Sequence, residues 1–86
     1  MIDLLVFSAD YCQPCKQMES AGVYAAVKNA GFEVEKIDTQ ANPTFAAQNH
    51  VSAIPTLIIR KDKVPVARIV GARDAKTLIA EMQKFV

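Results

Sequence analysis

A short apolar run at residues 2–7, Ile-Asp-Leu-Leu-Val-Phe, indicates the fold class. A run of this length and polarity is typical of a β-strand covered on both faces, as in a mainly parallel sheet flanked by helices. The chain has 86 residues, which suffices for one such sheet and is too few for two domains of ordinary size. We therefore predict a single α/β domain over residues 1–86.

The remaining residues supply three more strands and three helices. Strands are predicted at residues 32–37, 56–59 and 66–70, and helices at residues 13–30, 42–49 and 74–86. In the order β-α-β-α-β-β-α, a crossover helix makes the first two strands parallel, and a turn at residues 60–63 makes the last two antiparallel. Pro65 cannot donate to a neighbouring strand, so the last strand should be an edge. We predict a four-stranded mixed sheet with helices on both faces.

The chain has two cysteines, Cys12 and Cys15, which form one Cys-x-x-Cys motif. So small a loop adds little stability when it is cross-linked, because the gain grows with loop length. The pair is therefore predicted to be reactive. A zinc site is an alternative, but zinc takes four ligands and only His50 could join the cysteines. An iron–sulfur cluster shared between two chains is another.

The cysteines lie where the first predicted strand passes into the first predicted helix. There the sulfur of Cys12 is near free backbone N–H groups and the positive end of the helix dipole, which favour the thiolate. Cys15 is on the same helix face, within disulfide reach, and is predicted to be the more buried. Cys12 would attack and Cys15 would resolve. Pro14 suits the first helical turn, and Gln13 would tune the balance between dithiol and disulfide.

Two segments resemble signatures of the thioredoxin family. Residues 8–16, Ser-Ala-Asp-Tyr-Cys-Gln-Pro-Cys-Lys, resemble its active-site segment, and residues 53–56, Ala-Ile-Pro-Thr, resemble its second signature. Gly71 lies where thioredoxins carry a glycine after the last strand. The three matches occur in the family's order over essentially the whole chain, and they imply a thioredoxin-like fold.

The resemblance also implies a substrate-binding surface around the cysteines. Pro55 would be cis and packed against them, and the backbone of Ile54 would pair with an extended substrate. Tyr11, Gly71 and Ala72 would complete an apolar docking surface.

Each of the two charged residues beside the motif has two possible roles. Asp10 is either a proton relay or a surface charge. Lys16 either stabilises the Cys12 thiolate or is simply solvated. Both are included among the residues expected to tune the site.

The chain departs from the thioredoxin pattern at several positions. Tyr11 replaces the usual tryptophan, Gln13 replaces a glycine, and Ser20 stands where the long helix has a kinking proline. Val6 occupies the position of a buried aspartate that helps to deprotonate the resolving cysteine. The short length and the segment Gly-Ala-Arg-Asp at residues 71–74 lean toward glutaredoxins, which place an aspartate near the last helix to hold glutathione.

By this resemblance, the protein reduces protein disulfides through its Cys-Gln-Pro-Cys dithiol, with no bound cofactor or metal. Electrons would come from NADPH through a flavin-dependent thioredoxin reductase, or from glutathione. The resemblance also implies ribonucleotide reductase as an expected client. The alternatives are a glutaredoxin-type, glutathione-dependent reductase and a non-catalytic binding module with the same fold.

Charge and hydropathy limit the other partners. Ten basic and nine acidic residues are interspersed and give a net charge of +1, so neither nucleic acid nor an anionic membrane is expected as a partner. No apolar stretch approaches the ~18 residues of a membrane span, and residues 1–7 do not form a secretion signal. We expect a soluble, cytoplasmic monomer.

Overall fold

The apolar run at the start of the sequence forms a central strand of the sheet. The computed structural model describes residues Met1 to Val86. Its strands are β1 (Ile2–Ser8), β2 (Glu33–Asp38), β3 (Thr56–Lys61) and β4 (Val64–Val70). Its helices are α1 (Gln13–Ser20), α2 (Val23–Asn29), α3 (Pro43–Gln48) and α4 (Ala75–Gln83).

The four strands form one mixed sheet in the order β2-β1-β3-β4. Strand β1 is parallel to β2 and antiparallel to β3, and β3 is antiparallel to β4. Residues 2–7 of β1 are all buried, as expected of a strand covered on both faces. The predicted sheet is confirmed, including the edge position of the strand that contains Pro65.

Helices cover both faces of the sheet, as predicted. Helices α1, α2 and α4 enclose the larger cluster of buried side chains against one face, and α3 encloses a smaller one against the other. The larger cluster includes Leu4, Val6, Met18, Val23, Val27, Leu57, Ile59, Leu78 and Met82. The smaller one consists of Leu5, Phe7, Ala46 and Ile58. Because side chains alternate along a strand, neighbouring residues of β1 enter different clusters.

The prediction of one helix over residues 13–30 is wrong. The segment forms two helices, α1 and α2, which Ala21 and Gly22 separate. Gly22 has φ +74°, in the left-handed region that interrupts a right-handed helix and that glycine adopts without a Cβ clash. The prediction failed because Gly22 fits the apolar spacing of a continuous helix. The break follows directly on Ser20, where the resemblance places a kinking proline, and the element order becomes β-α-α-β-α-β-β-α.

One acidic side chain is buried in the sheet. Asp3 on β1 accepts hydrogen bonds from Arg60 on β3 at 2.9 and 2.7 Å. Lys63 in the following turn approaches the same carboxylate at 3.4 Å. Burial by itself would raise the pKa of the Asp3 carboxyl, but the hydrogen bonds and charges of Arg60 and Lys63 outweigh burial and hold it below its usual value.

We expect Asp3→Asn to lower the free energy of unfolding at about pH 7 by about 2–3 kcal/mol, because Arg60 loses its partner while remaining largely buried. A depressed folded-state pKa stabilises above the unfolded value of about 3.9, and that contribution disappears as pH falls through the folded pKa. Urea unfolding of both proteins between about pH 7 and pH 2 should show the gap closing in acid. A gap that is constant with pH would contradict this account.

Candidate active site

Cys12 is the N-cap residue of helix α1, which begins at Gln13. Its backbone is extended (φ −85°, ψ 105°), as is usual for the residue that caps a helix, and Pro14 lies in the first turn. The backbone N–H of Cys15 donates to Sγ of Cys12 at 3.2 Å, and the N–H of Lys16 donates to the Cys12 carbonyl at 3.1 Å. The sulfur of Cys12 therefore lies at the positive end of the helix, where the sequence placed it.

The sulfurs of Cys12 and Cys15 form a disulfide, with 5.3 Å between their Cα atoms. Each cysteine is only 5% exposed, so the prediction that Cys15 is the more buried of the two is wrong. In the disulfide each sulfur shields the other, and the Cys15 N–H holds Cys12 Sγ against the helix end. Neither cysteine belongs to a hydrophobic cluster of the core. The residues that flank Cys12, Tyr11 and Gln13, are both exposed.

The loop before β3 lies at the same end of the sheet as the cysteines. Thr56, the first residue of β3, is paired with Phe7 near the end of β1 and with Val70 at the end of β4. The Ile54–Pro55 peptide bond is cis. The N–H of Gly71 donates to the carbonyl of Pro55 at 2.8 Å, which joins the segment after β4 to this loop.

The remaining predicted site residues differ in exposure. Tyr11 is 67% exposed, which is high for an aromatic side chain. Ile54 and Gly71 are partly exposed and Pro55 is buried. Those with exposed side chains are Asp10, Gln13, Pro14, Lys16 and Ala72.

Residues 71–74, the segment that resembles glutaredoxins, precede the last helix, and Asp74 caps it. Oδ1 of Asp74 accepts the N–H of Thr77 at 2.8 Å and so caps α4, as predicted. Hydrogen bonding from Thr77 lowers the pKa of the Asp74 carboxyl. Arg73 donates to the carbonyl of Ala72 at 2.8 Å.

No three His, Cys, Asp or Glu side chains are grouped to hold a metal ion.

A polar cleft of about 250 Å³ opens beside Cys15. Its charged and hydroxyl-bearing lining residues are Ser8, Asp10, Lys16, Glu19, Tyr24, Lys36 and Asp38. Sequence reasoning missed Glu19, Tyr24 and Lys36. Glu19 could have been found, because it is four residues after Cys15 on the same helix and so shares its face. Lys36 could be placed there only from the pairing of β1 with β2, in which it lies opposite Val6.

The chain matches the family model for thioredoxin over residues 2–84. The chain belongs to the thioredoxin family. Thioredoxin from Mycobacterium tuberculosis is 39% identical over 84 residues, which cover 96% of this chain and 72% of the relative. Thioredoxin from Mycolicibacterium smegmatis is 42% identical over 82 residues, which cover 92% and 73%.

Solved thioredoxin structures have the same fold. A point-mutant thioredoxin from Halobacterium salinarum superposes with a TM-score of 0.89 at 30% identity, covering 98% of this chain and 74% of that one. Thioredoxin-2 of the malaria parasite, described as a component of its protein secretion machinery, gives 0.88 at 28% identity, covering 98% and 82%. The predicted family and thioredoxin-like fold are confirmed, and Cys12 and Cys15 form the disulfide of a Cys-x-x-Cys redox motif. Thioredoxin relatives of this kind imply a thiol–disulfide oxidoreductase. None of the four helices has the length and apolar composition of a membrane-spanning helix.

Proposed function

We propose that this thioredoxin-family protein reduces disulfides in client proteins through Cys12 and Cys15. The observation that carries the proposal is the disulfide at the start of α1, with the Cys15 N–H directed at the sulfur of Cys12. After reduction, the same N–H and the helix dipole stabilise negative charge on that sulfur. The thiolate is the form that attacks a disulfide.

The reaction proceeds by two exchanges at sulfur. The Cys12 thiolate attacks one sulfur of the client disulfide, so that a mixed disulfide forms and the client's other sulfur leaves as a thiolate. Cys15 then loses its proton and attacks Sγ of Cys12. The Cys12–Cys15 bond forms, the bond to the client breaks, and its electron pair leaves with the client sulfur. Two electrons have passed to the client, and the protein is oxidised.

The client is proposed to bind around the cysteines, at the end of the sheet where β1 and β4 finish and β3 begins. The backbone of Ile54, which precedes buried Pro55, would pair with an extended client segment. Tyr11, Gly71 and Ala72 would provide the adjoining apolar surface, and the large exposed area of Tyr11 supports this role. Gln13, Pro14, Asp10 and Lys16 border the sulfurs and would tune their reactivity.

Electrons are proposed to reach the Cys12–Cys15 disulfide from NADPH through a thioredoxin reductase, as in the thioredoxins that this chain resembles. The protein itself would bind no cofactor. Clients would be disulfide-containing proteins, with ribonucleotide reductase proposed from the family alone.

The test is the reduction of insulin disulfides by the purified protein with NADPH and a thioredoxin reductase, followed as NADPH oxidation. A parallel reaction supplies glutathione instead of the reductase. The double variant Cys12→Ser, Cys15→Ser is the control and should be inactive in both. We expect reduction with the reductase to be the faster. Reduction with glutathione alone would indicate a glutaredoxin-type enzyme. No insulin reduction in either reaction would contradict the proposed function.

A further inference from the structure

The buried surroundings of Cys15 contain no carboxylate. Val6 is 0% exposed within the larger hydrophobic cluster. Asp3, the buried acid of the sheet, is engaged with Arg60 at the other end of β1. In the proposed function Cys15 must lose a proton before it can release the client, because the thiolate is the attacking form. That proton must therefore leave on another side of Cys15.

The polar cleft lies on that side. Charged and hydroxyl groups line it from several elements: Ser8 from β1, Asp10 from the loop after it, Lys16 and Glu19 from α1, Tyr24 from α2, and Lys36 and Asp38 from β2. The cleft, with about 250 Å³ open to the centres of water molecules, admits water, since one molecule needs only about 10–15 Å³ in this measure. Water in the cleft can connect the sulfur of Cys15 to these groups.

Glu19 is the carboxylate best placed among them. It follows Cys15 by one helical turn and so lies on the same face of α1. Its Oε1 accepts a hydrogen bond from Nζ of Lys36 at 2.7 Å. The same Nζ lies 5.5 Å from the centre of the Tyr24 ring. The pair joins α1 to β2 at the cleft, with the Lys36 side chain 42% and the Glu19 side chain 61% exposed.

Tyr24 gives independent support for a polar function of the cleft. It is only 7% exposed, and its hydroxyl is buried without a protein hydrogen-bond partner. Buried hydroxyls are normally satisfied, so this unpartnered group indicates a water molecule beside it. Burial and the charge of Glu19 raise the pKa of Tyr24, so its hydroxyl donates a hydrogen bond and does not act as a base.

The other two carboxylates are less suitable acceptors. Asp38 Oδ1 accepts the backbone N–H of Gln40 at 2.9 Å, which commits it to the turn after β2. Asp10 lies in the loop before the cysteines, two residues before Cys12 and five before Cys15, outside the helix that carries Cys15. Neither has a hydrogen-bonded lysine to hold it at the cleft, as Glu19 has.

We propose that Glu19 accepts the proton of Cys15 through water in the polar cleft, and that Lys36 is the positioning residue for its carboxylate. This inference rests on the proposed function. The thiol proton passes to Glu19, the Cys15 thiolate attacks Cys12, and the departing client thiolate carries the electron pair of the broken bond. When the protein is reduced again, Glu19 returns the proton to Cys15.

The test separates the two sulfurs with dithionitrobenzoate, which releases one coloured thiolate when Cys12 attacks and a second when Cys15 resolves the mixed disulfide. A Cys15→Ser variant, which lacks the second release, assigns the phases. We expect Glu19→Gln to slow the second release about tenfold at about pH 6 and leave the first unchanged. The difference should shrink as pH rises, because hydroxide then increasingly removes the Cys15 proton without Glu19.

The matched control is Asp38→Asn, which removes the same charge from the same cleft and should leave both phases unchanged. A second release in Glu19→Gln that equals wild type at about pH 6 would overturn the inference. So would an equal loss in Asp38→Asn, or a slowing that does not diminish as pH rises, since these outcomes would indicate an effect of general charge or of structure. Two normal releases in wild type without insulin reduction would instead contradict the proposed function.

Discussion

Replacing Cys12 with serine is expected to lower the rate of insulin reduction by about a thousandfold or more, because the hydroxyl does not ionise near neutral pH and cannot form the mixed disulfide. The fold should be unaffected, since Cys12 is outside both hydrophobic clusters and a serine can cap α1 in its place. The measurement is NADPH oxidation with a thioredoxin reductase, with circular dichroism to establish that the variant is folded.

Cys15→Ser is the matched control, because it removes the other half of the same disulfide. This variant keeps the attacking sulfur, so it should form a mixed disulfide with a client and fail to release it. The trapped species should appear on a non-reducing gel and disappear with dithiothreitol. Full activity in either variant, or failure of Cys15→Ser to trap a client, would contradict the assignment of Cys12 as the attacking and Cys15 as the resolving residue.

Val6→Asp is expected to cost about 3–5 kcal/mol in the free energy of unfolding at about pH 8. Val6 is fully buried among apolar side chains, and Lys36, which lies opposite it on β2, is bound to Glu19, so a carboxylate there would be desolvated with no free cation beside it. This cost is a large part of the ~5–15 kcal/mol that stabilises an ordinary domain. Denaturant unfolding of the variant and of wild type gives the difference.

The pH dependence identifies the charge as the cause. Burial raises the pKa of an aspartate, so the penalty should be smallest below the unfolded value of about 3.9 and grow as pH rises through the folded value. Val6→Asn, of the same shape as the aspartate and uncharged, should carry a smaller penalty that does not change with pH. A Val6→Asp penalty equal to that of Val6→Asn at every pH would show that the charge is not buried.

Elements that depend on near neighbours were predictable. The apolar run at residues 2–7, the alternation in β2, Pro43 in the first turn of α3 and Asp74 before α4 each indicate a structure through local geometry. The break between α1 and α2 was missed because Gly22 also fits the apolar spacing of a continuous helix. Only its left-handed backbone distinguishes the two cases.

The site was predictable to the same extent. The motif itself places Cys12 at the start of a helix, because the sequence passes there from an apolar strand to helical spacing. The equal burial of the two cysteines could not be inferred, because it depends on the tertiary contacts around both side chains.

The sequence alone determined the α/β class, the order of the strands along the chain and the position of the reactive pair, because these follow from patterns within a few residues. The tertiary structure decided what surrounds Cys15. Glu19 follows from its helical spacing to Cys15, but Tyr24 and Lys36 join it only after β1 and β2 pair in register and α2 packs on the sheet. Contacts of this kind depend on residues far apart in sequence, and no local pattern encodes them.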